Sequence, residues 1–279
     1  MSTLNVKIVS KMYNRRSTLK FRKDSSLFTP HSSIISLCEY TSLIFFEEQS
    51  AQDLLLSICV TISRKFSIEK QDFLSTNNEV FIEFLIALST IMRKRFQIFT
   101  AILSIENGEV ANTLFEMLHL SLEDDQNNSS LIRASGIFLV DYWKTAVQKH
   151  DSCKGLAHHF LNRTISIILN SLFANTDINN LNYYSDILFQ ISKVSFPEFN
   201  SSIKMGFEAF FQQTQAQTQN DNNNLNLQIQ DETLNLISSK KHFERNLQSI
   251  IKERGNRNKF REYCKEWYLL SRNLVSCEA

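Results

Sequence analysis

The sequence predicts an all-α chain, organised as a right-handed α-solenoid of HEAT-type antiparallel helix pairs. Gly and Pro, the residues that punctuate strands and tight turns, number only 5 and 2 among 279 residues, which favours helices. Apolar residues recur at three- and four-residue spacing in one segment after another, the period of an amphipathic helix. A pair of these segments with its loops occupies roughly 40 residues, the length of a HEAT-type unit. Each such hairpin leaves one apolar face open, and the next hairpin covers it.

The elements follow in order. Residues 1–29 form a basic N-terminal segment, a partial helix and then a loop, with Lys7, Lys11, Arg15, Arg16, Lys20, Arg22 and Lys23 and no acidic residue before Asp24. Residues 30–212 carry the HEAT-type repeats. Pro30-His31-Ser32-Ser33 starts a helix over Ile34–Phe46. A second follows Ser50, which has capping-box spacing to Asp53; its core face is Leu54, Ile58, Ile62 and Phe66. A third starts near Asn78, uses Val80, Phe81, Phe84, Leu85 and Leu88, and ends in Arg93-Lys94-Arg95, cations that complement a helix C-terminus. Phe96–Thr100 reads as a connection. The fourth helix runs from Asn107 through Leu122 with the stripe Val110, Leu114, Met117 and Leu118, and Glu123–Asn128 is a polar loop.

Further helices are expected over Ser129–Gln148, Ser152–Leu172, Ile178–Ser195 and Pro197–Gln212, the last with Pro in a first turn, where its missing N–H costs nothing. Residues 213–230, QTQAQTQNDNNNLNLQIQ, are rich in Gln and Asn and read as a flexible loop. Residues 231–279 form a C-terminal capping pair, with helices near Asp231–Glu253 and Asn256–Ser276 around Gly255-Asn256.

Composition excludes several function classes. A formal net charge of +1 gives no global attraction to nucleic acid or anionic membrane. Cys38, Cys59, Cys153, Cys264 and Cys277 are odd in number and widely spaced, which fits small buried residues or free thiols and no zinc signature. No apolar run approaches the roughly 20 residues of a membrane span. The basic start lacks the apolar stretch of a secretory signal, and a mitochondrial targeting peptide is a weaker reading of it. No Gly-rich phosphate loop follows a strand, and no nucleophile-elbow motif occurs.

No set of side chains converges on catalysis, a cofactor or a metal. His158 and His159 are adjacent, and neighbours on a helix point about 100° apart, so they cannot share one ion. Asp151 is seven residues before His158. Cys153 and His158 fall on nearly opposite helix sides, against a thiol–imidazole pair. Glu47-Glu48 and Glu123-Asp124-Asp125 read as solvated runs. The chain is therefore expected to be no enzyme.

The C-terminal basic face is the strongest candidate for binding. Lys252, Arg254, Arg257, Lys259, Arg261, Lys265 and Arg272 surround Phe260, Tyr263, Trp267 and Tyr268. The bland reading makes Phe260, Cys264, Trp267 and Leu270 the buried stripe and the cations a solvent face, because the spacings of four, three and three suit a helix. A nucleic-acid face is the second reading. The third is a contact with acidic groups of a protein cargo, or with acidic groups of the same chain. Arg254, Arg257, Lys259, Arg261 and Lys265 are the candidate partner-binding residues.

The same tail carries a family likeness. Ile251, Lys252, Glu253, Arg254, Arg261, Glu262, Lys265, Glu266, Leu269, Leu270 and Leu274 resemble the C-terminal end of the importin-13/transportin-3 branch of the karyopherin-β (importin-β) nuclear transport receptors. The likeness continues upstream in the same order. It runs through Ser10–Asn14; through Val80, Phe84, Leu88, Arg93, Lys94, Arg95 and Phe99; through Ala134, Ser135 and Phe138; and through Asp186-Ile187-Leu188-Phe189, Lys193 and Phe196. The resemblance implies a non-enzymatic HEAT-repeat receptor that binds protein cargo, contacts nucleoporins and shuttles between nucleus and cytoplasm. It implies Ran GTPase binding only through N-terminal repeats that have no counterpart in this chain, which would then be the C-terminal arch of a longer receptor. No Ran-contacting residue transfers. Leu4–Tyr13 reads as half of a hairpin, and its face Leu4, Val6, Ile8 and Val9 is expected to drive association at that end. The Gln/Asn-rich stretch departs from the family pattern.

Overall fold

The computed structural model describes residues 49–69, 71–123, 128–173, 177–221, 241–242, 244–250, 252 and 255–270, all of which belong to one compact unit, Ser32–Ala279. The basic N-terminal segment, the helix expected over Ile34–Phe46, Cys38, Cys277 and the expected Leu4–Val9 face lie outside the described residues. The fold is all-α, with no strand among the described residues.

Helix α1 (Gln49–Glu69) buries Ile58, Ile62 and Phe66 of the expected face, together with Leu55 and Cys59; the side chain of Leu54 lies outside the described residues. Helix α2 (Gln71–Lys94) starts earlier than the expected Asn78. Asn77 breaks its regularity with φ −129° and ψ 28°. There the Asn77 Nδ2 donates to the Phe73 carbonyl at 3.2 Å and to Thr76 Oγ1 at 2.7 Å, a local side-chain bond that competes with the helical ladder. The extra turn before this kink places Phe73 edge-on to Phe66 of α1, with centroids 6.3 Å apart.

The expected connection after Arg95 is instead helix α3 (Phe96–Leu103), which buries Ile98, Phe99, Ile102 and Leu103. Six apolar residues in eight leave no reason for that stretch to stay in water. A 3₁₀ turn, Ile105–Gly108, with φ of 51°, 57° and 91° at Glu106, Asn107 and Gly108, then leads into α4 (Glu109–Leu122). Val110, Leu114, Met117 and Leu118 of α4 are all buried.

The helix expected over Ser129–Gln148 is divided. Helix α5 (Ser129–Asp141) starts at Asn128, whose side chain accepts from the Leu131 N–H at 3.2 Å. A π turn, Tyr142–Ala146, follows, and then the short α6 (Val147–Lys149). The widened turn carries two adjacent buried aromatic residues, Tyr142 and Trp143. The Tyr142 hydroxyl donates to the Cys153 carbonyl at 2.8 Å, tying the π turn to α7 (Asp151–Phe173). Helix α8 (Leu181–Val194) follows a 3₁₀ turn, Ile178–Asn180. Helix α9 spans Phe196–Asp221, so the Gln/Asn-rich stretch expected as a loop from Gln213 stays helical to Asp221. Gln and Ala are good helix formers, so extending the helix needs no buried face. Residues 244–250 are helical, and α10 spans Arg257–Leu270.

These helices meet in two series. Helix α1 packs on α4, α4 on α7, and α7 on α9; separately, α2 packs on α5, α5 on α8, and α8 on α10. Within pairs, α1 touches α2, α4 touches α5, and α7 touches α8. Between the series lies an aromatic cluster. Phe115 of α4 stacks on Phe160 of α7 with centroids 4.9 Å apart and meets Tyr142 edge-on at 5.2 Å. Phe99 and Phe138 extend the cluster into α3 and α5.

A buried histidine sits beside that cluster. Thr164 gives its one hydroxyl proton to the Phe160 carbonyl at 2.9 Å. His119 Nε2, 2.9 Å from Thr164 Oγ1, must therefore be the donor, and its fully buried Nδ1 has no partner. Burial, helped by the nearby Arg163, lowers the imidazole pKa from 6.5 to about 3. In the pH window between those values the unfolded chain binds a proton that the folded chain does not, so stability falls as the pH is lowered. Near pH 5 the loss from this one group is about 2 kcal/mol. His119→Gln keeps an N–H donor but does not titrate, and it should flatten this part of the slope in urea titrations between pH 7 and 5. An unchanged slope would refute the assignment.

Two helical glycines should respond oppositely to alanine. A Cβ on Gly136 of α5 would lie 2.9 Å from the Tyr183 Cβ of α8, close to that helix's backbone, whereas one on Gly155 of α7 meets nothing within 4 Å. Gly155→Ala should stabilise by about 0.5–1 kcal/mol through helix propensity. Gly136→Ala should destabilise by about 1–2 kcal/mol, because pushing α5 from α8 outweighs that gain. Thermal melts of the two variants read the opposite signs.

Candidate functional site

The last described helix sorts its residues by period. Asn256 caps it, its Oδ1 accepting from the backbone N–H groups of Asn258 at 3.1 Å and Lys259 at 3.2 Å. Phe260, Cys264 and Trp267 point inward and are fully buried, while the side chain of Leu270 lies outside the described residues. Phe260 meets Phe189 of α8 at 5.7 Å and Phe199 of α9 at 6.2 Å. Trp267 stands edge-on to Phe207 of α9 at 4.9 Å. The apolar stripe thus docks α10 against both helix series. Burial pushes the Cys264 thiol well above its ordinary range, with a smaller push from Asp186, so it stays protonated and inert.

The cations of α10 do not act as one solvent face. Arg257 Nε and Arg261 Nε both donate to Asp186 Oδ1 of α8, at 2.7 and 2.9 Å. Their Nη2 atoms both donate to Oδ2, Arg261 at 2.6 Å. One carboxylate therefore accepts two bidentate guanidiniums. The Asp186 side chain is 10% exposed, against 52% for Arg257 and 34% for Arg261. Burial would raise the Asp186 pKa, but the hydrogen bonds from Arg257 and Arg261 outweigh it and hold the carboxyl below its usual range. The same bonds raise the Arg257 pKa. This is the contact with acidic groups of the same chain, and it joins α8 to α10 at the start of the final helix.

Of the five cations expected to meet a partner, Arg257 and Arg261 are thus engaged internally. Lys259 pairs with Glu262 at 3.3 Å on the surface, and Lys265 is exposed. Arg254 lies outside the described residues, as do Lys240 and Arg272. Glu266, in the family-like motif, accepts from Asn246 Nδ2 at 2.7 Å, joining α10 to residues 244–250. Asp186 stands in the chain among Ile187, Leu188 and Phe189, where a lone carboxylate in an apolar run is the only sign of a buried charge.

The other groups weighed from the sequence are dispersed. His158 is half-buried, while His159 is exposed with its ring edge-on to Phe160 at 4.7 Å. Cys153 is buried, and burial raises its thiol pKa. Among the described residues no cluster of three or more His, Cys, Asp or Glu side chains could hold a metal ion, and no helix is long and apolar enough to cross a membrane. No protein-family model matches the chain, and no curated protein is significantly similar to it.

Proposed function

We propose that this chain is a helical scaffold that binds protein cargo, the C-terminal arch of an importin-13-like nuclear transport receptor, and that its helix pairs stack as a right-handed HEAT-type α-solenoid. The observation that carries the reading is the pairing of helices in two parallel series, α1–α4–α7–α9 and α2–α5–α8–α10. Chain order returns each helix to the one about a repeat earlier, which is how a stacked solenoid buries its apolar seam. The resemblance of the Arg93-Lys94-Arg95, Asp186–Phe189 and Arg261–Leu270 segments to the karyopherin-β branch supports the transport role.

In this reading cargo is held by extended polar and charged contact across several helices, and small changes at many repeat interfaces alter curvature between cargo-bound and free forms. Ran GTPase would act through repeats N-terminal to those in this chain, nucleoporins would carry the receptor through the pore, and the protein would shuttle between nucleus and cytoplasm. A generic HEAT-repeat interaction scaffold outside transport is the alternative from the same fold. The engagement of Arg257 and Arg261 by Asp186 weighs against a nucleic-acid face on α10.

The test is a pull-down of the gene product that carries this chain with GTP-locked and GDP-bound Ran, together with its distribution in cells. GTP-dependent capture and enrichment at the nuclear envelope are expected. Equal capture in both nucleotide states, with no enrichment at the envelope, would end the transport reading and leave the generic scaffold.

A further inference from the structure

We propose that the basic patch assembled where α2 and α3 meet the π turn and α6 docks an acidic segment of a partner protein. This rests on the scaffold reading and names the chemistry of one partner surface.

Arg93 and Lys94 end α2, and the helix dipole by itself accounts for cations in a last turn. It does not account for what the fold adds from a distant part of the chain. Asp141, at the end of α5, has its Oδ2 3.8 Å from Arg93 Nε. Burial raises the Asp141 pKa, and the charges of Arg93 and Lys144 oppose that rise. Lys149 of α6 holds its Nζ 5.4 Å from the centroid of the Phe96 ring. His150 lies against the same ring at 6.4 Å. Two sequence-distant basic segments are thereby joined around Phe96 and Asp141.

Arg93, Lys94, Lys144, Lys149 and His150 are all exposed, with Lys154 a turn further along α7. Against them stand the partly buried Asp141 and the exposed Asp151. The excess is positive in a chain whose net charge is only +1, so this is a local field and not a global one. Its complement is a stretch of carboxylates. A nucleic acid suits the patch less well, since its bases would need an aromatic surface on which to stack. The Phe96 ring, packed against the core and covered by Lys149, offers no open platform for a base.

The probe is a fluorescein-labelled Glu/Ser repeat peptide, with Gly/Ser and Lys/Ser repeats and an oligouridylate as comparisons, read by anisotropy on the full chain. The Glu/Ser peptide should bind best, and its affinity should fall steeply as salt is raised from about 0.01 M to about 1 M, where the screening length drops from about 30 to about 3 Å. Arg93→Glu/Lys144→Glu/Lys149→Glu should weaken it by about tenfold or more, with the circular dichroism spectrum unchanged because the positions are exposed. Lys204→Glu, on the exposed side of α9, should leave the affinity as it was. Binding no tighter than that of the Gly/Ser peptide, or insensitive to salt, would overturn the proposal, and neither result needs a folded variant. So would a preference for the oligouridylate, or equal affinity in the triple variant. Any of these leaves the Ran pull-down free to succeed or fail on its own.

Discussion

Phe115→Ala should destabilise the fold by about 3–5 kcal/mol, the range for deleting a large aromatic side chain from a close-packed interior. Phe115 is fully buried and touches two aromatic neighbours from other helical segments, Phe160 and Tyr142 at 4.9 and 5.2 Å, and His119 of its own helix at 6.4 Å. Its removal therefore opens a cavity between α4, the π turn and α7, three elements that cannot collapse together while Tyr142 remains hydrogen-bonded to the Cys153 carbonyl. Chemical denaturation should show a lower midpoint with an unchanged slope. Phe115→Leu, which keeps part of the volume, should lose markedly less. If the two variants were equally stable, the packing assigned to this ring would be wrong.

Asp186→Ala should be the second largest loss, about 2–3 kcal/mol. Breaking a fully buried ion pair costs about 3–5 kcal/mol, but Arg257 and Arg261 are partly open to water and regain hydration when released. Because one carboxylate serves both guanidiniums, the arginines should back each other up. Arg257→Ala or Arg261→Ala alone should cost about 1 kcal/mol or less, and the double variant more than their sum. The damage should be local. Amide hydrogen exchange should quicken in α10 well before it does in α4 or α7, since only the docking of α10 on α8 depends on this contact. Exchange that rises uniformly along the chain would refute a local latch. Acid should act in the same direction. With its carboxyl held below the usual range, Asp186 contributes stability that is present above the ordinary carboxylate pKa and is lost as pH falls through its lowered value.

Much of the fold was legible in the chain because helix formation is read locally. The stripes Ile58–Ile62–Phe66, Val110–Leu114–Met117–Leu118 and Phe260–Cys264–Trp267 recur at helical spacing and are buried together. The misreadings have equally local causes. Phe96–Thr100 is short and apolar on most sides, so it shows little periodicity and reads as a connection, yet it packs as part of α3. Asn78 reads as a helix start, but the chain is already helical at Gln71 and only bends at Asn77. The Gln-rich residues after Gln212 lack an apolar face and read as a loop, although their propensity lets α9 continue.

The candidate site was legible in its parts and not in its partners. The sequence alone determines that α10 has an apolar side and a set of cations, because both follow from a repeat of 3.6 residues. Only the tertiary structure decides that Arg257 and Arg261 close on Asp186, 71 and 75 residues away. It also decides that Lys144 and Lys149 come to stand beside Arg93 and Phe96. Periodicity records which face of a helix turns inward, whereas the partner of a surface charge depends on how separate helices stack, and that is set by the packing of the whole core.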